Sequence, residues 1–443
     1  MKSLLLTCVG IVGVVTIVVA QQNPVQPQPQ ADKLPAPVAA TPKRGSMVPK
    51  PEGLMPAVPP GFTVSVYAEL QAPRMMVYAP NGDLFVSSPT THTITVLRDA
   101  NNDGVFEARE VFVQGAARPA GTPGPAATPG REPLPAIVGA NAPACVPPPP
   151  PAPRGPGVIS APFGLAFHDG YLYVGNTASL VRIKYTKGDL KAQGEPEKLA
   201  DLPAGGHSTR NVLFNRAGTK LYVTVGSGSN NDAGEDCRRA AISEYNPDGT
   251  GWRVYASGIR NPVGLAWQPG TDILWTAMNE RDNLGDDLVP DFATSVKDGG
   301  FYGWPYSYIG KHYDPRYEGA FPELVNRAIV PDVLFPSHSA ALGIAFYTGA
   351  QFPAKYRNGA FVALHGSWNR SRAAGYKVSF IPMVKGKPGP IEDFLTGFVA
   401  KDGAEGGPIT HWGRPVGVTV APDGSLLVSD DGGNKIWKIS AKK

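Results

Sequence analysis

The stretch Asp169-Gly-Tyr-Leu-Tyr-Val-Gly175 consists of an Asp-Gly turn signal followed by a short apolar run. Another apolar run, residues 163–167, precedes it. Two such runs joined by an Asp-Gly or Asn-Gly turn are typical of a β-hairpin. The pattern recurs, pairing residues 75–78 with 81–87, 212–214 with 217–225, 263–267 with 270–276, 342–346 with 358–363 and 416–420 with 423–429.

Six self-similar hairpins predict an all-β fold, the six-bladed β-propeller. Helical periodicity of useful length is absent, and the alternative, a β-sandwich, would need fewer and less similar hairpins. Residues 61–70 could supply the strand that closes the ring beside residues 435–439. Because the inner strands of a propeller converge on a central channel, we expect the segments leading into the hairpins to meet at one mouth.

The first 20 residues are typical of a secretory signal peptide. Lys2 precedes an apolar run that ends in small residues, so we expect cleavage after Ala20. The alternative is an uncleaved membrane anchor, although the run is short for a span. We therefore expect a periplasmic or secreted protein with no membrane span after cleavage. The net charge of +4 is too small to indicate nucleic acid or an anionic membrane as partner.

Two segments are too poor in apolar residues to fold on their own. Residues 21–59, rich in Pro, Gln and Ala, are predicted to be a disordered tether, and residues 115–157 a low-complexity insertion within a propeller domain spanning 60–443. Cys145 and Cys237 remain once the signal is removed, and an oxidising compartment would permit a disulfide between them. The sequence does not decide whether it forms.

A histidine between glycines and a polar cluster stands just before a predicted strand, in Gly205-Gly-His-Ser-Thr-Arg-Asn211. Glycines let the backbone approach a ligand, and an imidazole can act as a base near neutral pH. We interpret His207 as the general base. The alternative is a loop histidine bonded to a neighbouring carbonyl.

Further polar and aromatic residues occupy corresponding places next to the other hairpins. Guanidinium groups bind carboxylates through two hydrogen bonds and stack on aromatic faces, so this set favours a planar, polyanionic ligand. The alternative is that each arginine only caps a blade edge. The set comprises Arg210, Arg260, Asn261, His365, Arg370, Trp412 and Arg414.

Two oxygen-rich loops are candidate calcium sites. Residues 279–287 offer carboxylates and amides around a glycine, the ligands that a hard cation selects, although an acidic solvated turn would look the same. Residues 99–110 match the spacing of a calcium loop between two predicted strands, the rival being an ordinary turn. The predicted ligands of this structural calcium are Asp99, Asn101, Asp103, Val105 and Glu110.

The chain resembles the soluble aldose dehydrogenases that depend on pyrroloquinoline quinone (PQQ), especially their sorbosone-dehydrogenase-like branch. The resemblance covers about residues 60–438 except the insertion. It rests on Gly206-His207, Arg-Asn-Pro-Val-Gly-Leu-Ala at 260–266, Asn-Glu-Arg-Asp at 279–282 with Gly-Asp-Asp at 285–287, Gly-Phe-Tyr-Gly-Trp-Pro at 300–305, His-Gly-Ser-Trp-Asn-Arg at 365–370, Gly-Arg-Pro-Val at 413–416 and Ala-Pro-Asp-Gly-Ser at 421–425.

The resemblance implies a propeller that holds PQQ across its mouth, with a calcium ion on the quinone side and a histidine base. His207 falls on that base. Arg260, Asn261 and Arg414 fall on cofactor contacts, and the backbone carbonyls of Asp282 and Asn283 fall on the catalytic calcium ligands.

Departures from the family pattern concern the substrate side. A family glutamine is replaced by Ser-Ala-Pro at 160–162, an aspartate before the base by Gly206, and one of two paired arginines by Trp412. The family's lysine has no clear counterpart, so His365 or Arg370 would serve in its place. These differences put glucose-like specificity in doubt more than the cofactor.

The predicted function is therefore PQQ-dependent oxidation of a sugar or hydroxy-aldehyde. No Cys-x-x-Cys-His haem site occurs, so the electrons must leave to an external acceptor, and no Gly-x-Gly-x-x-Gly follows a strand, which argues against nicotinamide. The alternatives are a calcium-dependent lactonase-type hydrolase and a non-catalytic propeller that binds a partner or glycan.

Overall fold

The computed structural model describes residues 26–101, 103–115 and 156–442. The predicted signal peptide, Cys145 and nearly all of the predicted insertion lie outside these residues. Within them, no helix is long and apolar enough to span a bilayer. The first strands are β1 (Ser46–Met47) and β2 (Phe62–Glu69).

Three antiparallel sheets follow in chain order and form blades one to three. Within each blade, the strand numbers increase from the centre of the ring outwards. Each begins with one of the predicted hairpins. Blade one contains β3 (Met76–Tyr78), β4 (Leu84–Ser88), β5 (Thr93–Arg98) and β6 (Ala108–Gln114); blade two β7 (Pro162–His168), β8 (Tyr171–Asn176), β9 (Ser179–Lys184) and β10 (Glu197–Asp201); and blade three β11 (Val212–Phe214), β12 (Leu221–Val225), β13 (Ala241–Tyr245) and β14 (Arg253–Ser257).

Blades four and five repeat the pattern with short additions between their strands. Their elements are β15 (Asn261–Trp267), β16 (Leu274–Asn279), β17 (Phe292–Ser295), β18 (Gly300–Phe301), β19 (Ser307–Tyr308), β20 (His312–Tyr313), a 3-10 turn (Pro315–Tyr317), α1 (Pro322–Asn326), β21 (Val333–Leu334), β22 (Ala341–Phe346), a 3-10 turn (Ala354–Tyr356), β23 (Ala360–Leu364), β24 (Lys377–Ile381), β25 (Met383–Val384), β26 (Lys387–Pro388) and β27 (Glu392–Leu395). The sheets run β15-β16-β17-β21 and β22-β23-β24-β27, while β18 extends blade three and β19-β20 and β25-β26 form small hairpins.

Blade six closes the ring as predicted, because β2 pairs with the last strand over Phe62↔Ala441 to Glu69↔Lys435. Its sheet order is β30-β31-β32-β2, and a separate sheet of order β1-β29-β28 lies beside it. The remaining elements are β28 (Val399–Asp402), a 3-10 turn (Ala404–Gly406), β29 (Ile409–His411), β30 (Pro415–Val420), β31 (Leu426–Asp430) and β32 (Lys435–Ala441).

The inner strands form a closed ring around the centre. Each of β3, β7, β11, β15, β22 and β30 contacts the next, and β30 returns to β3. A central apolar cluster of Phe163, Val263, Leu342 and Val416 fills the middle, while larger clusters pack between neighbouring sheets. The prediction of a six-bladed β-propeller is confirmed, and the starts of β15, β22 and β30 define one end, the mouth.

Residues 26–59 differ from the expected tether, because they make specific contacts with the propeller. Val38 N–H donates to the Leu284 carbonyl at 3.1 Å, and β1 pairs in parallel with β29. Composition alone predicted disorder because this segment cannot form a core of its own; here the propeller surface supplies hydrogen-bond partners and apolar cover.

Candidate functional site

A pocket of about 370 Å³ opens at the mouth of the propeller. Its lining includes the guanidinium groups of Arg74, Arg260 and Arg414 and the imidazoles of His207, His338 and His365. Blades one, three, four, five and six all contribute: Arg260 and Arg414 directly precede inner strands, His365 directly follows β23, and the others come from the segments that lead into β3, β11 and β22. A volume of this size lies in the range typical of small-molecule sites.

His207 is held in one orientation by blade three. Its Nδ1 lies 2.9 Å from the Ser227 carbonyl oxygen and 3.1 Å from Ser227 Oγ, whose own proton goes to the Ser229 carbonyl at 2.6 Å. Nδ1 therefore carries the proton and donates it, and Nε2 keeps its lone pair. No described residue hydrogen-bonds Nε2. Burial, with a contribution from Arg260, lowers the pKa of His207 to about 3, so the ring is neutral at physiological pH.

Two glycines and a buried arginine make the His207 loop possible. Gly206 has φ +61°, and a Cβ there would lie 2.4 Å from Gly228 Cα, which explains why no larger residue precedes the histidine. The fully buried Arg210 donates to the carbonyls of His207 and Pro203 at 2.7 and 2.6 Å. Arg210, predicted at the mouth, thus braces the loop from behind and does not line the pocket.

Arg260 and Asn261 stand where β15 begins. Arg260 donates Nη1–H to the Glu280 carbonyl at 2.6 Å and Nε–H to the Asn230 carbonyl at 3.0 Å, and its Nη2 lies 3.4 Å from the Asp282 carboxylate. Asn261 donates to Asn279 Oδ1 at 3.0 Å. Both side chains are buried and preoriented, so little conformational entropy remains to be lost when a ligand binds.

Three carboxylates form the blade-four wall. Glu280 and Asp291 are fully enclosed, and burial raises their pKa values to about 7 and about 6. Glu280 Oε1 has no hydrogen-bond partner among the described residues. The Asp282 carboxylate lies 3.4 Å from His338 Nδ1. Burial alone would lower the pKa of His338, but Asp282 and the Gly285 carbonyl raise it.

His365 lies directly after the end of β23 in blade five and has a different partner. Its Nε2 lies 2.8 Å from Asp431 Oδ1, and Asp431 Oδ2 forms an ion pair with Arg74 Nη2 at 2.6 Å. Burial lowers the pKa of His365 to about 4, although Asp431 opposes the shift. Burial would raise the pKa of Asp431, but His365 and Arg74 lower it overall. Arg414 donates to the His365 carbonyl at 3.2 Å.

Two predicted cofactor contacts lie elsewhere. Trp412 is 1% exposed and packs against Phe398 and Trp437 in the blade-six core, because its side chain turns away from the mouth before β30 begins. Arg370 binds Asp287 at 3.0 Å and the Ser337 carbonyl at 3.4 Å, outside the pocket lining. The structure therefore corrects both assignments.

The predicted calcium ligands of blade four also have other partners. The Asp282 carbonyl accepts hydrogen bonds from Asn230 Nδ2 at 3.0 Å and Arg281 Nε at 2.9 Å. Asn283 exchanges hydrogen bonds with Asn369 and does not line the pocket. Asp282 lines the pocket, while its carbonyl is occupied by these two hydrogen bonds.

The predicted structural calcium loop folds as a turn that satisfies itself. The Asp99 carboxylate accepts the backbone N–H groups of Asp103 and Gly104, and Asp103 accepts that of Val105. Glu110 lies on β6 opposite Val96, 4.0 Å from Lys191, so it does not complete a ligand set with Asn101 and the others. Across the described residues, no group of three or more His, Cys, Asp or Glu side chains could hold a metal.

Sequence reasoning missed Arg74, Asp431 and His338. Arg74 directly precedes the first apolar run of blade one, and Asp431 directly follows the last hairpin. The rule that found Arg260 and Arg414, a residue just before the first run of a hairpin, would have found Arg74, and the rule that found His365, a residue just after the second run, would have found Asp431. His338 carries no such signal, because it reaches the mouth from a loop with φ +64°.

Comparisons with known proteins agree with this geometry. The sequence model described as Glucose / Sorbosone dehydrogenase matches residues 173–367, and one described as TrAA12-like matches residues 324–442. An uncharacterized protein of Borreliella burgdorferi is 30% identical over 303 residues, which cover 64% of this chain and 77% of that protein.

A second relative and a solved structure carry descriptions of activity. Aldose sugar dehydrogenase YliI of Escherichia coli is 24% identical over 266 residues, covering 55% of this chain and 63% of that protein, just under two thirds of its length. The holo form of the pyranose dehydrogenase PQQ domain from Coprinopsis cinerea superposes with a TM-score of 0.66 and 20% identity, covering 90% of this chain and 100% of that domain. At that identity the superposition supports the fold alone.

Proposed function

Since this chain belongs to the glucose/sorbosone dehydrogenase family, we propose that it is a PQQ-dependent oxidoreductase that oxidises a sugar or hydroxy-aldehyde. The observation that supports this proposal most directly is the pocket at the mouth. Three guanidinium groups line it together with the neutral imidazole of His207, whose Nε2 is not hydrogen-bonded by any described residue.

The pocket fits the chemistry of PQQ, a planar tricarboxylate. Arg74, Arg260 and Arg414 line it from blades one, four and six, and guanidinium groups are the donors best matched to carboxylates. Each is already fixed by contacts with protein carbonyls or carboxylates, so the donors are preorganised. These residues, with Asn261, would hold the cofactor.

The blade-four wall offers only part of the ligand set that a calcium ion needs. Glu280 Oε1 is buried without a hydrogen-bond partner among the described residues, and Asp282 lines the same pocket, so two carboxyl groups are in place as hard oxygen donors. Calcium takes six to eight oxygens, and the remaining ligands would have to come from cofactor or water. This donor set replaces the carbonyls expected from the family resemblance.

The chain's own contribution to the reaction is proton removal and placement. When bound, PQQ would accept the two electrons of the oxidation, with calcium as the Lewis acid beside it. His207 accepts the substrate hydroxyl proton at Nε2, while its Nδ1–H stays on the Ser227 carbonyl. Arg260, 5% exposed, provides fixed positive charge beside the site where negative charge develops on the substrate oxygen.

We place the reaction in the periplasm or outside the cell, with an external electron acceptor. Cys237 is disulfide-bonded, which supports an oxidising compartment. Its predicted partner, Cys145, lies outside the described residues. The sequence features that support secretion are those of residues 1–20.

Reconstitution tests the proposal. Purified protein is mixed with PQQ and calcium, freed of excess by gel filtration and assayed by dye reduction with aldoses and aldehydes. We expect quinone absorbance to elute with the protein and dye to be reduced. Arg414→Gln should retain less PQQ than Arg357→Gln, which removes an exposed arginine between β22 and β23 at the opposite end of blade five. Lactone hydrolysis without PQQ would instead support a lactonase, and neither activity would support a binding propeller.

A further inference from the structure

Residues 38–48, here called the N-terminal arm, cross the rim of the mouth over blades four, five and six. The arm is anchored on blade four, where Thr41 Oγ1 donates to the Asp286 carboxylate at 2.7 Å and the Val38 side chain packs over Gly285. On blade six, β1 pairs with β29 in the register Ser46↔Thr410 and Met47↔His411. The residues between these anchors are therefore held across blade five.

Arg44 lies at the middle of this span. Its guanidinium carbon is 5.8 Å from the centre of the Trp368 ring, and Trp368 lines the pocket while remaining 43% exposed. An exposed indole on the rim of a polar pocket is a platform on which a sugar ring can stack. The arginine beside it extends the pocket wall outwards.

Arg44 differs from Arg74 and Arg260 inside the pocket in its lack of a charged partner. Arg74 is paired with Asp431 and Arg260 with Asp282, whereas no carboxylate among the described residues forms an ion pair with Arg44. The Arg44 side chain is exposed and lies over the neutral indole, and it donates no hydrogen bond to another described residue. Its hydrogen-bond donors are therefore free for a ligand that rests against Trp368.

We propose that the N-terminal arm completes the substrate site and that Arg44 selects a sugar carrying a carboxylate, such as a uronic acid. The sugar ring stacks on Trp368, and its carboxylate binds the Arg44 guanidinium at the rim, while the carbon to be oxidised points towards His207. The inference rests on the proposed function for its choice of a sugar, but the arm, Trp368 and Arg44 are features of this chain itself.

The test compares D-glucuronate with D-glucose in wild type, Arg44→Gln, Arg44→Lys and the control Arg357→Gln. In dye reduction by the PQQ-loaded protein, we expect Arg44→Gln to lower the ratio of kcat/KM for glucuronate over glucose about tenfold, through KM. Arg44→Lys should fall between, since an ammonium keeps the charge but not the paired hydrogen bonds. The control should keep the wild-type ratio. A ratio within twofold of wild type in Arg44→Gln overturns the inference.

Calorimetry on protein without PQQ separates this inference from the proposed function. Glucuronate should bind wild type more tightly than glucose, and Arg44→Gln should weaken glucuronate binding about tenfold. If no sugar is oxidised but this Arg44-dependent binding is measured, the proposed oxidation fails and the inference stands. If sugars are oxidised while Arg44→Gln leaves glucuronate binding unchanged, or if wild type binds no glucuronate, the inference fails.

Discussion

His207 and His365, which line the mouth from blades three and five, are held by different kinds of acceptor. His207 donates Nδ1–H to a main-chain carbonyl of blade three and presents Nε2. His365 points Nε2 at the Asp431 carboxylate of blade six, which Arg74 also binds. Burial lowers the pKa of both rings, His207 to about 3 and His365 to about 4.

The two acceptors differ in what they do to the imidazole: a carbonyl only orients it, whereas a carboxylate also places a negative charge beside it. A carbonyl fixes the tautomer of His207 without adding a negative charge, so its free Nε2 is set up to take a proton and to release it again. The Asp431 carboxylate joins His365 and Arg74 into one charged network, and the Arg414 side chain donates to the His365 carbonyl. We therefore propose that His207 transfers the proton and that His365 supports the arginine side of the pocket.

The largest effect is expected from His207→Ala. Removing a general base typically lowers kcat by about 10² to 10⁴, whereas His365→Ala should lower it less, because it removes a supporting group. Both are measured by dye reduction at saturating PQQ and calcium, with retained PQQ quantified by absorbance. His312→Ala, an exposed histidine, is the control. A larger loss in His365→Ala than in His207→Ala, at equal PQQ content, would reverse the assignment.

Asp431→Asn should mainly reduce stability. An asparagine can still accept from His365, but Arg74 loses its charged partner in a largely buried setting. We expect the free energy of unfolding to fall by about 2 kcal/mol in urea titrations. Asp423→Asn alters a more exposed pair with Lys438 in the same blade and should cost less than about 1 kcal/mol. Equal losses in the two variants would mean that the Asp431 network adds nothing beyond a surface pair.

Measuring the free energy of unfolding as the pH is lowered distinguishes His365 from His207 by the pH at which each ring stops reducing stability further. In the unfolded chain the histidines have a pKa of about 6.5. Below that pH the unfolded chain therefore binds protons that His207 and His365 of the folded protein, whose pKa values are lowered, do not bind. Each ring then lowers stability by about 1.4 kcal/mol per pH unit as pH falls. The loss should continue to about pH 4 for His365 and to about pH 3 for His207.

His365→Asn and His207→Asn should each flatten the dependence of unfolding free energy on pH between 6 and 4. His338 acts in the opposite direction, because its pKa is raised and its contribution is lost as pH rises through the folded value. Asp431, whose pKa is lowered, affects stability only below about pH 4. An unchanged slope in His365→Asn would show that this ring is charged in the folded protein.

The fold was predictable because its signals are local. Each Asp-Gly or Asn-Gly turn with its two apolar runs forms a hairpin without help from distant residues, as in 163–175, and repetition implies the ring. The contacts of residues 26–59 were not predictable, since Val38 pairs with Leu284 far along the chain and nothing in the composition of either segment indicates the other.

The candidate site was predictable where position alone decides. Arg260 and Arg414 directly precede inner strands, so the topology delivers both to the mouth. Trp412 stands only two residues before Arg414, yet that step turns its side chain into the blade core. Arg370 stands farther beyond its strand, where the chain has already left the pocket. Among these four residues, distance from a strand end, more than residue type, separates those that line the pocket from those that do not.

The smallest effect is expected from Ser227→Ala, which tests whether the carbonyl alone orients His207. The hydroxyl lies 3.1 Å from Nδ1, but its proton is committed to the Ser229 carbonyl and it serves only as a second acceptor. The Ser227 carbonyl, 2.9 Å from Nδ1, belongs to the main chain and survives the substitution. We therefore expect kcat to fall no more than about threefold. This is less than the loss that would follow from removing one neutral hydrogen bond worth about 1 kcal/mol. A loss approaching that of His207→Ala would show that the hydroxyl, and not the backbone, sets the tautomer.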